Sequence, residues 1–184
     1  MENAYAARTA PVGINSQALS NGLLVLLGSL AIGLLAQAAI PVGPIPVTGQ
    51  TLGVLAIAAM LGPRRGPLSV LLYLGYGAAG LPFFAGGTGG MLVLMGPTAG
   101  YLVGFVAAAW FAGGLLARPG LRGLLPATLV LTGATAIIYG FGVMWLSRFV
   151  GWDSVLAFGV MPFLFGDALK IAIVAAAAAG LPRI

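Results

Sequence analysis

The sequence predicts an all-α integral membrane protein, a bundle of six transmembrane helices. Three observations carry this prediction. Only 6% of the 184 residues are charged and 60% are hydrophobic, whereas a soluble domain is about one quarter charged. The apolar runs are about 20 residues long, the length a helix needs to cross a hydrocarbon core, and they lack the period-2 alternation of barrel strands. The runs are separated by short stretches of Pro, Gly and Arg, residues that stop helices or sit at membrane boundaries.

The elements follow in order. Residues 1–19, "MENAYAARTAPVGINSQAL", form an N-terminal cytoplasmic tail. They lack the basic start, apolar core and cleavage site of a secretory signal, so the first helix is expected to stay uncleaved. Residues 20–184 form one transmembrane domain. The first helix covers 20–40 and stops at Pro41. The connector "PVGPIPVTGQ" carries Pro41, Pro44 and Pro46, which forbid regular helix. A short second helix covers 50–62 and ends at "GPRRGP"; it spans only about 20 Å at ~1.5 Å per residue, so the neighbouring connector must dip into the membrane. Irregular backbone at that depth lines a cavity or is buried in protein. The third helix covers 66–80 and runs into the loop "LPFFAGGTGG". The remaining helices cover 94–117, 124–149 and 157–181.

Charge gives these elements an orientation. Arg64 and Arg65 lie between the second and third helices, Arg118 and Arg122 between the fourth and fifth, Arg8 before the first and Arg183 after the last. The connectors 1–2 and 3–4 hold no Lys or Arg. The positive-inside rule then puts both termini in the cytoplasm and the irregular connectors outside. The net charge of +5 is scattered over helix ends rather than gathered on one face, so it signals topology and not a nucleic-acid partner.

Several chemistries are excluded. With no Cys and no His, there are no disulfides, thiolate sites or imidazole bases. No GxxxxGK[ST] loop occurs, so the chain is not expected to bind ATP itself. Only three acids are present, and neither an enzyme nor a bound cofactor is expected.

One pair of residues stands out. Within "VMPFLFGDALKIAIVAAAAAG", Asp167 and Lys170 interrupt a segment otherwise suited to lipid. Each ionisable group at a bilayer centre costs about 2.5–3.5 kcal/mol. At i, i+3 they share a helix face and can neutralise each other, but such a pair has no packing advantage over two apolar residues. A carboxylate accepts from N–H groups and an ammonium donates to a carbonyl. Together they suit a small polar ligand carrying both, such as a cyclic urea. Further candidates are Thr48, Gln50 and Thr51 after the proline connector, Tyr73, Tyr101 and Tyr139 in the helices, and Phe83 and Phe84 as an apolar lid. Gly100, Gly104 and Ala108 form a small-residue stripe for close helix packing. Two other readings stay open: a self-sufficient proton-coupled carrier using Asp167, or a pair that only fixes helix register.

The segments "PVGPIPVTGQTLGVLAIAAMLGPRRGPLSVLLYLGYGAAGLPFFAGGTGG", "GPTAGYLVGF" and "GDALK" resemble, in matching order, the BioY family. These are the biotin-specific substrate-binding S components of energy-coupling factor (ECF) transporters. The resemblance covers about residues 20–181. It implies a membrane protein that captures biotin from outside, as transported ligand and not as cofactor. It further implies a transmembrane coupling subunit, a cytoplasmic ATPase pair, and the bacterial cytoplasmic membrane as location. It marks Asp167 and Lys170 as the polar binding pair and Gly86, Gly87, Thr88 and Gly89 as loop contacts, while Gln50, Tyr101 and Tyr73 are pocket candidates on the residue reading alone. The small residues Ser29 and Gly33 of the first helix would dock against the coupling subunit.

Overall fold

A computed structural model describes residues 16–180; most of the expected tail, together with Arg8 and Arg183, lies outside the described residues. Six α-helices follow one another: α1 (Ser16–Ala36), α2 (Gln50–Ala78), α3 (Ala99–Leu115), α4 (Leu124–Val150), α5 (Trp152–Gly159) and α6 (Leu164–Gly180). Between α1 and α2, β1 (Ala39–Ile40) pairs antiparallel with β2 (Val47–Thr48). Two 3-10 turns, Ala85–Gly87 and Val93–Met95, lie between α2 and α3.

α2 contains a kink at which it reverses direction. Gly62 adopts φ 76° and ψ −165°, and Pro63 follows it, a combination that an L-residue ahead of proline rarely reaches. The reversal is visible in the contacts. Gln50 Nε2 donates to the Tyr73 hydroxyl across 23 residues, which an unbroken helix would hold about 35 Å apart. A Cβ on Gly66 would lie 3.1 Å from Ala58 Cα. α2 is therefore a tight hairpin of two arms, 50–61 and 63–78, in agreement with the two helices expected here. The described residues thus form six helical segments, α1, the two arms of α2, α3, α4 and the pair α5–α6; α1, α2 and α4 are long and apolar enough to cross a membrane, as is the bent pair taken as one span.

Other boundaries differ from expectation, each for a local reason. α1 occupies 16–36 rather than 20–40, because residues 39–40 pair with 47–48 instead of extending the helix. α3 begins at Ala99 rather than 94. Pro97 biases Gly96 towards extended backbone, and Gly96 has φ −77° and ψ −178°. The sixth expected helix, 157–181, is broken into α5 and α6, bent by 46°. Pro162 lies in the break, where a proline can neither donate to the helix nor leave its predecessor helical.

The core is built by α2, α3 and α4 packed in succession, with α1 against α2 and α6 closing between α4 and α2. The stripe expected on the fourth segment does bring backbones together. A Cβ on Gly104 would sit 3.0 Å from Ile138 Cα, and Gly100 abuts the Phe141 carbonyl. Ser29 and Gly33 also face inward. Ser29 is fully buried, its hydroxyl donating to Leu26 O at 2.7 Å, and Gly33 packs on the Phe83 ring. The outward face of α1 carries instead Leu19, Leu23, Leu27, Leu30 and Leu34, so a docking role for Ser29 and Gly33 does not match their positions.

The two ends of the bundle differ. At one end Arg122 donates from Nε to Ala178 O at 3.1 Å and from an Nη to Ala59 O at 3.0 Å. It thereby caps the C-terminal carbonyls of α6 and of the first arm of α2, where a cation suits the helix dipole. Arg64, beside the Gly62 reversal, belongs to this end. The N-termini of α2 and α6 lie at the other end, with the connector and the 81–90 loop.

The contact of α3 with the hairpin turn gives a test. A Cβ on Gly113 would meet Gly62 C at 2.7 Å, whereas one on Gly114 meets nothing within 4 Å. Gly113→Ala is expected to lose about 1–3 kcal/mol through overpacking, read as a lower thermal midpoint in detergent. Gly114→Ala should hold or raise that midpoint, since Ala is the better helix former. Equal losses in both would sink the packing account.

Candidate functional site

At the end away from the arginines, a cavity of about 250 Å³ opens between the N-terminal turns of α2 and α6, the 81–90 loop, α3 and α4. It is near the lower limit for small-molecule sites. Much of its wall is apolar, including Phe84, Phe105, Ile138 and Phe163; Thr88 and Thr98 line it from the loop and from just before α3, and its most polar side holds Asp167 and Lys170.

That side is organised by Asp167. Because α6 starts at Leu164, Asp167 stands in its first turn rather than deep within a helix, and its N–H donates to Phe163 O at 2.8 Å. Negative charge is favoured there by the helix dipole. The residue is buried, with 3% of its surface exposed. Oδ1 accepts from Thr51 Oγ1 at 2.9 Å and from Lys170 Nζ at 2.8 Å, and Oδ2 accepts from the Tyr139 hydroxyl at 2.6 Å. Three elements, α2, α4 and α6, thus meet on one carboxylate.

Lys170 is equally committed. Its Nζ donates to Asp167 Oδ1, Thr51 Oγ1 and the Thr48 main-chain carbonyl, each at 2.8 Å. An ammonium has three protons, and each has a protein acceptor. Thr51 lies between the ions, donating to one and accepting from the other. Buried charges persist in apolar surroundings only when paired and hydrogen-bonded in this way.

The neighbouring residues form a supporting chain. Thr48 Oγ1 accepts from the Gln50 N–H at 3.2 Å and donates to Gln50 Oε1 at 2.8 Å. The Gln50 amide then bonds Tyr73. Tyr73 is wholly buried and stacks edge-on against Phe84, with centroids 5.6 Å apart. It therefore stands behind the wall, unlike Gln50, and is absent from the cavity lining. Tyr101 offers its ring to the cavity, while its hydroxyl donates to Gly159 O at 2.8 Å. That bond braces the end of α5 beside the break.

The loop residues divide. Phe84, Ala85 and Thr88 line the cavity, whereas Gly86, Gly87 and Gly89 do not. Gly86 and Gly87 shape the turn with φ 66° and 74°, a region that disfavours side chains. Gly89 packs against the Leu81 carbonyl. Thr88 Oγ1 donates to Ala85 O at 3.0 Å, and Gly90 N–H donates to Gly77 O at 2.7 Å, fastening the loop to α2.

Among the sequence candidates, Asp167, Lys170, Gln50, Thr88 and Tyr101 come together here, joined by the weaker candidates Thr48, Thr51 and Tyr139. The apolar wall residues Phe105, Ile138 and Phe163 were not anticipated, because an apolar residue in an apolar helix carries no signal of which way it faces. Phe163 had one clue, its position directly after Pro162. Among the described residues no group of three metal-ligating side chains exists.

Known proteins share this chain's pattern and shape. The sequence profile of the BioY family matches residues 8–184. The "probable biotin transporter BioY" of Pyrococcus horikoshii is 40% identical over 137 residues, covering 74% of this chain and 80% of that one. The "biotin transporter BioY" of Rhizobium etli is 38% identical over 155 residues, covering 80% and 82%. In shape the chain is similar to the crystal structure of "the S-component for biotin from an ECF-type ABC transporter". The TM-score is 0.81 over 90% of this chain and 92% of that one, at 23% identity.

The mutual dependence of the two ions is testable. Asp167→Leu leaves the ammonium without its counter-ion, a loss of about 3–5 kcal/mol. Adding Lys170→Leu removes the stranded charge, so the double variant should have a higher thermal midpoint than Asp167→Leu alone. Additive losses would show that the ions are independent.

Proposed function

The chain belongs to the BioY family, a family of membrane transporters and not of enzymes, and on that premise we propose that it captures biotin and delivers it for uptake as the substrate-binding component of an ECF-type importer. The observation that carries the reading is the Asp167–Lys170 pair, set in the wall of a largely apolar cavity of small-ligand size. Biotin offers a ureido ring with two N–H groups and a carbonyl, an apolar thiophane body and a valerate carboxylate. Asp167 accepts from a ureido N–H group and Lys170 donates to the ureido oxygen. The rings of Phe84, Phe105 and Phe163 and the side chain of Ile138 cover the thiophane, whose burial contributes roughly 25 cal/mol per Å². Thr51 and Tyr139 hold the carboxylate in place.

Orientation follows from the two ends of the bundle. Arg64, Arg118 and Arg122 belong to the end opposite the cavity, and the positive-inside rule puts that end in the cytoplasm. The cavity then faces outward, and both termini are cytoplasmic, in a bacterial cell membrane. The chain carries no nucleotide-binding loop, so the energy for import comes from partners. These are a transmembrane coupling subunit in contact with this chain and a cytoplasmic ATPase pair.

Calorimetry of the purified chain in detergent tests ligand and site together. The parent is expected to bind biotin tightly without ATP. Asp167→Asn and Lys170→Ala should each lose about 1.5–3 kcal/mol, roughly tenfold to a hundredfold in affinity. Binding that survives both changes would make the pair structural, and a folded parent that ignores biotin would sink the function.

A further inference from the structure

Lys170 poses a question of valence. All three of its protons are already taken, by Asp167 Oδ1, Thr51 Oγ1 and Thr48 O. A ligand carbonyl can therefore reach the ammonium only by exchange, and a buried group released without a new partner costs affinity. The bond to Asp167 is charge-assisted, and the Thr51 hydroxyl is held between both ions. The Thr48 carbonyl is neutral and belongs to the connector. It is the partner whose release a second ligand donor can make good.

The register of the small ladder explains why this carbonyl is available. Gly49 N–H donates to Ala38 O at 3.0 Å, and Ala39 faces Thr48 across the strands. Bonded and non-bonded pairs alternate in an antiparallel ladder. Thr48 therefore occupies a non-hydrogen-bonded pair, and its carbonyl points out of the ladder to Lys170. The flanking Pro46 and the Thr48 Oγ1 contact with the Gln50 N–H restrict the local backbone.

We propose that the main-chain carbonyl of Thr48 is a third recognition group, so that Thr48 O, Lys170 Nζ and the Asp167 carboxylate form an acceptor–donor–acceptor array that reads the donor–acceptor–donor edge of a cyclic urea. In such a ring the carbonyl is flanked by one N–H on each side. The ligand carbonyl takes the ammonium proton now held by Thr48 O. One ligand N–H takes the vacated Thr48 oxygen, and the other takes the remaining acceptor position of Asp167, which has accepted three side-chain bonds out of the roughly four a carboxylate offers. Every polar group in the array keeps a partner. A ligand with one N–H leaves an acceptor bare, and one with a third donor in place of the carbonyl opposes the ammonium. The connector thus supplies specificity through its backbone, where no side chain reveals it.

This inference rests on the biotin reading, and ligand analogues separate the two. Two cyclic carbamate analogues of biotin each replace one ureido N–H by a ring oxygen, with little change of shape. Calorimetry with the intact chain is expected to show both analogues at least about tenfold weaker than biotin. The penalty at the nitrogen not read by Asp167 should persist in Gln50→Ala, Thr51→Val and Tyr139→Phe, since a main-chain carbonyl survives side-chain substitution. If biotin binds and one analogue matches it within about threefold, the array is overturned while the function stands. If that penalty disappears in one of the three variants, the side chain removed there is the acceptor and Thr48 O is not. If biotin itself does not bind, both the function and the array fall.

Discussion

A buried carboxylate and a half-buried ammonium at one end of an apolar bundle need hydrogen-bond partners beyond each other, and much of this structure follows from where they find them. Asp167 and Lys170 are on α6, but the groups that complete them come from elsewhere. Thr51 and Thr48 belong to the start of α2 and to β2, and Tyr139 to α4. Satisfying the pair therefore fastens three helices and the proline connector at one place. In an apolar surrounding that requirement is strict, because water is not at hand to replace a missing partner. The cavity forms beside this junction, where polar groups and aromatic walls meet.

Helix interruptions put those groups within reach. The reversal at Gly62 returns the chain so that Tyr73 can support Gln50 from the second arm of the same element. The break around Pro162 starts α6 only three residues before Asp167, so the acid sits in a first turn. A continuous helix over 157–181 would place the same acid deep among satisfied backbone bonds, with no favourable dipole end beside it. Pro97 similarly delays α3 and leaves the preceding segment as turns that border the cavity. In each case a residue poor at forming helix is located where function needs a gap in one.

The bundle is polar along its axis in a second sense. Arg122 gathers the C-terminal carbonyls of α6 and of the first α2 arm at one end, and the acidic residue occupies an N-terminal turn at the other. The same arginine thus satisfies helix ends locally and contributes to the charge bias that orients the chain in a membrane. Small residues serve the middle. Gly100, Gly104 and Gly113 let α3 approach α4 and the hairpin turn to backbone distance, which suits a setting where helices associate through packing rather than water exclusion.

Much of this was legible in the sequence. Composition and run length are properties of residues alone, so membrane helices, the number of helical segments and the arginine bias could be read without coordinates. Asp167 and Lys170 were visible for the same reason: an ionisable group in an apolar run costs free energy wherever the run folds, so it needs a reason to be there. Ser29 and Gly33 show the limit, since small residues suit either face of α1 and only packing turned them inward against Phe83 and the core. Tyr73 likewise reads as a pocket residue until Gln50 is seen in front of it. The apolar wall of Phe105, Ile138 and Phe163, and the Thr48 carbonyl on Lys170, depended wholly on tertiary structure. Which way an apolar side chain faces, and which backbone oxygen a ladder leaves free, are set by contacts between distant segments, and no local residue property encodes them.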